Sequence, residues 1–244
     1  VADLGWNNDG LVNFRNAGTF NIGQGGSAGE IGYEGIWNAA VFTNESTGII
    51  KIDNTGGVTG VDALRLDEAE ADAPAASSFI NEGTLLIGTT NGASNTPGFG
   101  VQVRDLATLT NNGSLTTTKS ITVLSGGTAQ GNGTYQTDLD WVINGSFNID
   151  TSTVILNGSG ASALSGTNAF TFYNLTINKS ATTFTPPLSI NASNAFRLQD
   201  GTVEIQSSIT LTAAEVIVEA GNTLTNNGNI SLSGSSDNGL TNEG

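Results

Sequence analysis

The chain of 244 residues contains no cysteine, no methionine and no histidine, and only seven lysines and arginines stand against 22 aspartates and glutamates. Each shortage excludes something. Without cysteine there is no disulfide framework and no thiolate metal site. Without histidine as well, neither a Ser-His nor a Cys-His nucleophile system can be assembled. A formal net charge of −15 argues against nucleic acid as a partner, because phosphate binding needs cations that displace counterions. The same charge disfavours an anionic membrane surface. No basic segment leads into an apolar core, and no apolar run reaches about 18 residues, so nothing in this stretch reads as a signal peptide or a membrane-inserted helix.

What is present is glycine, 33 residues of it, amid much asparagine, threonine and serine. Only 37% of residues are hydrophobic, a level at which chains can stay disordered, but disorder does not produce regular apolar alternation. Here Val, Ile, Phe and Thr alternate with polar residues in short runs, which suits half-buried strands. Glycine and asparagine sit between the runs, where left-handed backbone angles are needed.

The runs follow a grammar, apolar–x–Asn–x–Gly–x–apolar–x–apolar. It appears around Asn16 and Gly18, Asn81 and Gly83, Asn111 and Gly113, and Asn226 and Gly228, and a last copy stops at Asn242 and Gly244. Weaker versions run Phe42-Thr-Asn44-Glu-Ser46 and, one residue shorter, Trp141 to Phe147 through Asn144-Gly145. Each copy reads as a strand, a corner and a second strand. A two-residue hairpin is the alternative for Asn-Gly. Most copies are Asn-x-Gly, however, and the interval between corners drifts widely, from Asn16 to Asn44, Asn81 and Asn111 and again from Asn226 to Asn242. Fixed-period arrays do not drift in this way, whereas a parallel β-helix keeps its strands and varies its loops. The expected fold is therefore all-β, a parallel β-helix (β-solenoid) with irregular loop insertions. It would have on the order of ten coils, asparagine ladders at corners and aliphatic stacks inside. A pair of β-sandwich modules divided near 130–150 is the competing architecture. We expect residues 1–244 to form one continuous solenoid segment of a longer chain, with an acidic loop insertion near 66–78. Adjoining coils or like subunits would then meet it end to end.

The stretch 169–212, with Phe172-Tyr-Asn-Leu-Thr-Ile-Asn178 and the later Asp200-Gly-Thr202, resembles large secreted surface proteins of Bacteroidota type. The segments 42–52, 79–88 and 223–234 are similar to the Asn-x-Gly-Thr coils of filamentous-haemagglutinin-like and pectin-lyase-like solenoids. The resemblance implies a right-handed coil and an extracellular or bacterial cell-surface location, often with an adhesive role toward glycans or other cell surfaces. It carries over no functional residues.

Candidate chemistry is sparse. Glycoside cleavage needs converging carboxylates, and Asp138 and Asp140 would share one strand face if 137–141 were extended. The Asp-Asp and Gly-His-Gly signatures of the resembling hydrolases are missing, so we expect no enzyme. Asp67, Glu68, Glu70 and Asp72, beside Arg65, could gather calcium through oxygen ligands, although EF-hand spacing and calcium-roll nonapeptides are both lacking. A solvated acidic loop is the plainer reading. No other cofactor is expected. Trp6, Tyr33, Trp37 and Tyr135 are candidates for sugar stacking, against the plainer role of filling a core. The Thr-x-Thr pairs at 108/110, 116/118 and 210/212 recur too irregularly for an ice-binding array.

Overall fold

A computed structural model describes residues 6–8, 13–22, 35–53, 62–67, 76–88, 99–148, 150–167, 169–234 and 239–243. Its regular structure is strand throughout, and every strand pairing is parallel. The chain forms a three-faced coil. One turn runs through Phe99–Val103 on the first face, Thr108–Asn111 on the second and Ser114–Thr117 on the third. The next turn repeats the order with Ile121–Val123, Thr128–Gln130 and Thr134–Thr137. Equivalent residues stack: Val101 beside Ile121, Leu109 beside Ala129, Leu115 beside Tyr135. This is a right-handed parallel β-helix, the hand that parallel crossovers favour. Both the hairpin reading of Asn-Gly and the sandwich alternative give way to it, since each requires antiparallel pairs.

The alternation seen in the sequence explains the faces. Val41–Asn44, Ile49–Ile52, Ser78–Asn81, Thr84–Ile87, Thr108–Asn111 and Ser114–Thr117 each bury every second residue. The buried set lines one continuous core along the coil axis, with Phe42, Phe79, Leu109, Ile50, Leu85, Leu115 and Val154 wholly enclosed. Burying such a side chain contributes roughly 1.5–3 kcal/mol. Outward positions in these strands are polar or β-branched apart from Leu86.

Coil length varies along the axis. On the second face Phe14 lies beside Phe42, Phe42 beside Phe79 and Phe79 beside Leu109. The asparagines that end those strands are 28, 37 and 30 positions apart in turn. Beyond that point the coils shorten and even out: Thr110 meets Gln130, and Asn174 meets Asn194, each 20 positions on. Phe170 beside Ile190 and Ile190 beside Leu211 keep nearly the same step. The long coils put their extra residues into corners. Leu66 ends one strand and Ser78 begins the next, so the acidic insertion falls between adjacent faces; residues 68–75 lie outside the described set.

The ladders are not all continuous. The first face ends at Leu164–Gly166 and the second at Ser146–Phe147. Only the third carries on, through Thr153–Leu156 into Asn174–Ile177. Past this seam the strands lengthen and bend around corners: Phe170–Phe184, Ile190–Ile205 and Thr210–Val218. In the last coil Leu232 and Leu240 are 43% and 57% exposed.

Candidate functional site

The corner residues singled out by the grammar fall into two groups. Asn16, Asn44, Asn81 and Asn111 stack at one corner, between the second and third faces, and pass hydrogen bonds along the axis. The Asn16 Nδ2 donates to Asn44 Oδ1 at 2.8 Å, Asn44 to Asn81 at 2.7 Å and Asn81 to Asn111 at 2.7 Å. The Asn111 amide closes the run on the Thr134 carbonyl at 2.8 Å. The second amide proton is used too, since Asn81 Nδ2 also donates to Ser114 O. All four side chains are buried, so each amide is satisfied by its neighbours and not by water.

Gly18, Gly83 and Gly113 follow the ladder in the same corner. At the latter two the lack of a side chain is a stacking requirement: a Cβ at Gly83 would lie 2.2 Å from the Gly48 carbonyl oxygen, and one at Gly113 would lie 2.0 Å from that of Gly83. Asn44 belongs fully to this corner, although its glycine comes two residues late, as Gly48. Asn226 and Gly228 serve a different corner, joining Thr223–Asn226 to Asn229–Leu232. There Asn226 is exposed and its Oδ1 only accepts from the Gly228 backbone at 3.2 Å. One grammar therefore builds two kinds of corner.

The described acidic candidates are engaged with other partners. Asp67 takes a 2.5 Å ion pair from Arg65, and Arg104 lies 3.9 Å away. Arg104 also approaches the buried Asp62 at 3.8 Å. Glu68, Glu70 and Asp72 lie outside the described residues, and among the described residues no three acids gather as a metal site would require. The 137–141 segment is a corner and not an extended strand, which separates the two aspartates in role. Asp138 accepts from Asn157 Nδ2 at 2.6 Å, and Asp140 accepts from the Ala163 backbone at 2.8 Å. Both tie their coil to the next one.

The aromatic candidates are core where they are described. Tyr135 is enclosed, donates its hydroxyl to the Gln130 carbonyl, and is pushed by burial well above the ordinary phenol range. Trp6 and Trp37 lie on adjacent strands of the first face, their side chains outside the described set, as is Tyr33. Thr108 stacks on Thr128, but Thr110 stacks on Gln130, so the hydroxyl pairs do not form an array.

Two features carry no sequence signal. Lys179 is 1% exposed, and its Nζ donates to the carbonyls of Asp138, at 2.9 Å, and Asn157. Burial lowers its pKa, against an opposing pull from the Asp138 and Asp140 charges. It acts as a staple across successive coils beside the seam. The second feature is a cavity of about 260 Å³ on the second face, where Ser146–Phe147 and Phe170–Phe172 fail to pair. Trp141, Phe147, Phe170 and Phe172 form its walls, with Ser146, Asn148 and Thr171 at the rim. A run such as Phe170-Thr-Phe172 shows an alternating strand, but nothing in it shows that its neighbour stands off.

Comparison of the chain with protein-family models, with curated proteins and with solved structures finds no match.

Proposed function

We propose that this chain is a structural and adhesive segment of an exported bacterial cell-surface or filament protein. It acts as a rigid acidic spacer whose flanks serve as an interaction surface. The observation that supports this reading best is the third-face ladder, which passes without interruption through ten levels from Thr19–Ile22 to Leu240–Asn242. At about 4.8 Å per level the ladder spans roughly 45 Å. Because adjacent levels share a hydrogen-bonded ladder and a common core, bending the rod means breaking pairs. A net charge of −15 keeps the flanks apart from other copies and leaves the ends as the places for coil-on-coil contact. Asp138 and Asp140, the pair weighed for glycoside cleavage, each accept a hydrogen bond from the next coil, which suits a structural role.

The partners that suit such a segment are adjoining coils or like subunits end to end, together with extracellular glycans or other cell surfaces. The test pairs small-angle scattering of the chain with a reducing-sugar assay over a polysaccharide panel. An elongated particle that releases no reducing ends supports the spacer. A compact particle contradicts the spacer, and turnover of one polysaccharide replaces it with a carbohydrate-cleaving β-helix.

A further inference from the structure

We infer that the seam cavity on the second face is a binding site for a small, neutral, planar aromatic molecule carrying a carbonyl-type hydrogen-bond acceptor. Three observations meet there. The first is shape and chemistry. A cavity of about 260 Å³ walled by Trp141, Phe147, Phe170 and Phe172 is larger than the apolar cavities of about 150 Å³ that already admit benzene, and a single substituted ring fits it. Trp141, Phe170 and Phe172 are each no more than 4% exposed, so the walls offer ring faces and edges without standing in water.

The second is an orphan donor. Trp141 lines the cavity, is wholly buried, and its Nε1 has no hydrogen-bond partner. A buried indole N–H without an acceptor is costly, and a ligand acceptor relieves that cost.

The third is the broken ladder itself. Ser146 and Asn148 donate their backbone N–H groups to Gly127 and Ala129 of the preceding coil. In a parallel ladder the intervening residue faces the other way, so the Phe147 peptide groups turn toward the gap. On the far side Phe170 donates to Ser189 of the following coil, and by the same alternation the Thr171 peptide turns back toward the gap. An aromatic floor thus lies between two backbone edges, with donors on both sides and the indole at one wall. The Phe147 and Phe172 rings stand 6.2 Å apart, so the side chains of the two edges meet beneath the broken ladder. The chain's negative charge selects a neutral ligand over a carboxylate.

The test uses 4-fluorobenzamide and fluorobenzene as fluorine NMR probes on the unmodified chain. The inference predicts saturable binding of 4-fluorobenzamide, about tenfold tighter than that of fluorobenzene. Ala169, exposed on the rim, supplies a blocking variant, and Ala169→Trp removes binding of both probes while leaving the melting curve in place. Trp141→Phe brings the two probes within about twofold of each other. No saturable binding, binding untouched by Ala169→Trp, or equal affinity for the two probes in the unmodified chain would each overturn the assignment. The last comparison needs no variant to fold.

Discussion

The coils before residue 117 and the coils after residue 170 solve the same problem differently. In the first region successive coils are long and unequal. Asn16, Asn44, Asn81 and Asn111 form their buried ladder over steps of 28, 37 and 30 positions. In the second region the coils are shorter and more nearly equal, repeating after 19 to 24 positions. Among the described residues, no buried asparagine stack accompanies them. The contrast suggests what the ladder does. A strand that slips by one residue turns its apolar set outward, and long corners give the chain slack in which to slip. A buried amide that is satisfied in one register only removes that freedom. Short coils have little slack, and apolar stacking of Leu175 on Phe196 on Val216 suffices.

This comparison can be broken most sharply at Asn81. Replacing its amide by a carboxylate, Asn81→Asp, removes the donors to Asn111 and Ser114 and places a charge beside their oxygens. We expect a loss of about 3–5 kcal/mol near neutral pH, read as a shifted denaturation midpoint by circular dichroism. Burial raises the pKa of such a carboxyl, so the folded state keeps a proton that the unfolded state sheds. The penalty is therefore small below about pH 4 and grows as pH rises through and above that value. A flat pH profile would show that the corner is open to water.

Gly113→Ala tests the same corner sterically. Its methyl group meets the Gly83 carbonyl, and the coils must part to admit it; a loss of about 1–3 kcal/mol is expected. An unchanged midpoint would mean that the glycine stack is slack.

The staple beside the seam responds to pH in its own direction. Because the folded-state pKa of Lys179 lies below its ordinary value of 10.5, the unfolded chain binds more protons in that window. Stability therefore rises with pH as the lysine sheds its proton. The Lys179→Met variant lacks this response and takes the amine donor from both carbonyls, with the Ser162 hydroxyl still donating to that of Asp138 at 3.3 Å, at a cost of about 1 kcal/mol. Denaturation of both proteins between about pH 7 and pH 9.5, below the onset of tyrosine ionisation, should show the unmodified chain gaining on the variant. Parallel curves would remove Lys179 from the account.

Asn226→Ala should do least. Its side chain is exposed and makes one contact within its own turn, and a change within about 0.5 kcal/mol is expected. An effect as large as that of an Asn111→Ala substitution would erase the distinction between the two corners.

Much of this architecture could be read from the residues, because period-two alternation and Asn-x-Gly corners are local signals. The all-β class, the parallel coil and the asparagine ladder follow from them. Four things were not legible. Asn44 looked like a degraded copy because Glu45, Ser46 and Thr47 separate it from its glycine, and only the stack shows Gly48 in place. Asn226 matched the grammar fully, yet it occupies another corner, since strand–corner–strand does not state which of three faces it joins. The seam and Lys179 depend on contacts that skip whole coils of sequence, from Lys179 back to Asn157 and Asp138. No spacing rule marks them. The condition for Asp138 and Asp140 to share a strand face, an extended 137–141, is not met, because residues 138–140 form a corner that alternation on paper does not reveal.

The central claim is that distance along this molecule counts coils and not residues. Thr84, Ser114, Thr134, Thr153, Asn174, Ala195 and Glu215 occupy one row of the third face, each beside the next. The absence of native cysteine allows spin labels at Thr84→Cys paired with Asn174→Cys, Ala195→Cys or Glu215→Cys. Pulsed electron resonance should give distances near about 19, 24 and 29 Å, rising by about 4.8 Å per coil. Distances that fail to rise in equal steps, or that fold back as sequence separation grows, would contradict the stacked coil.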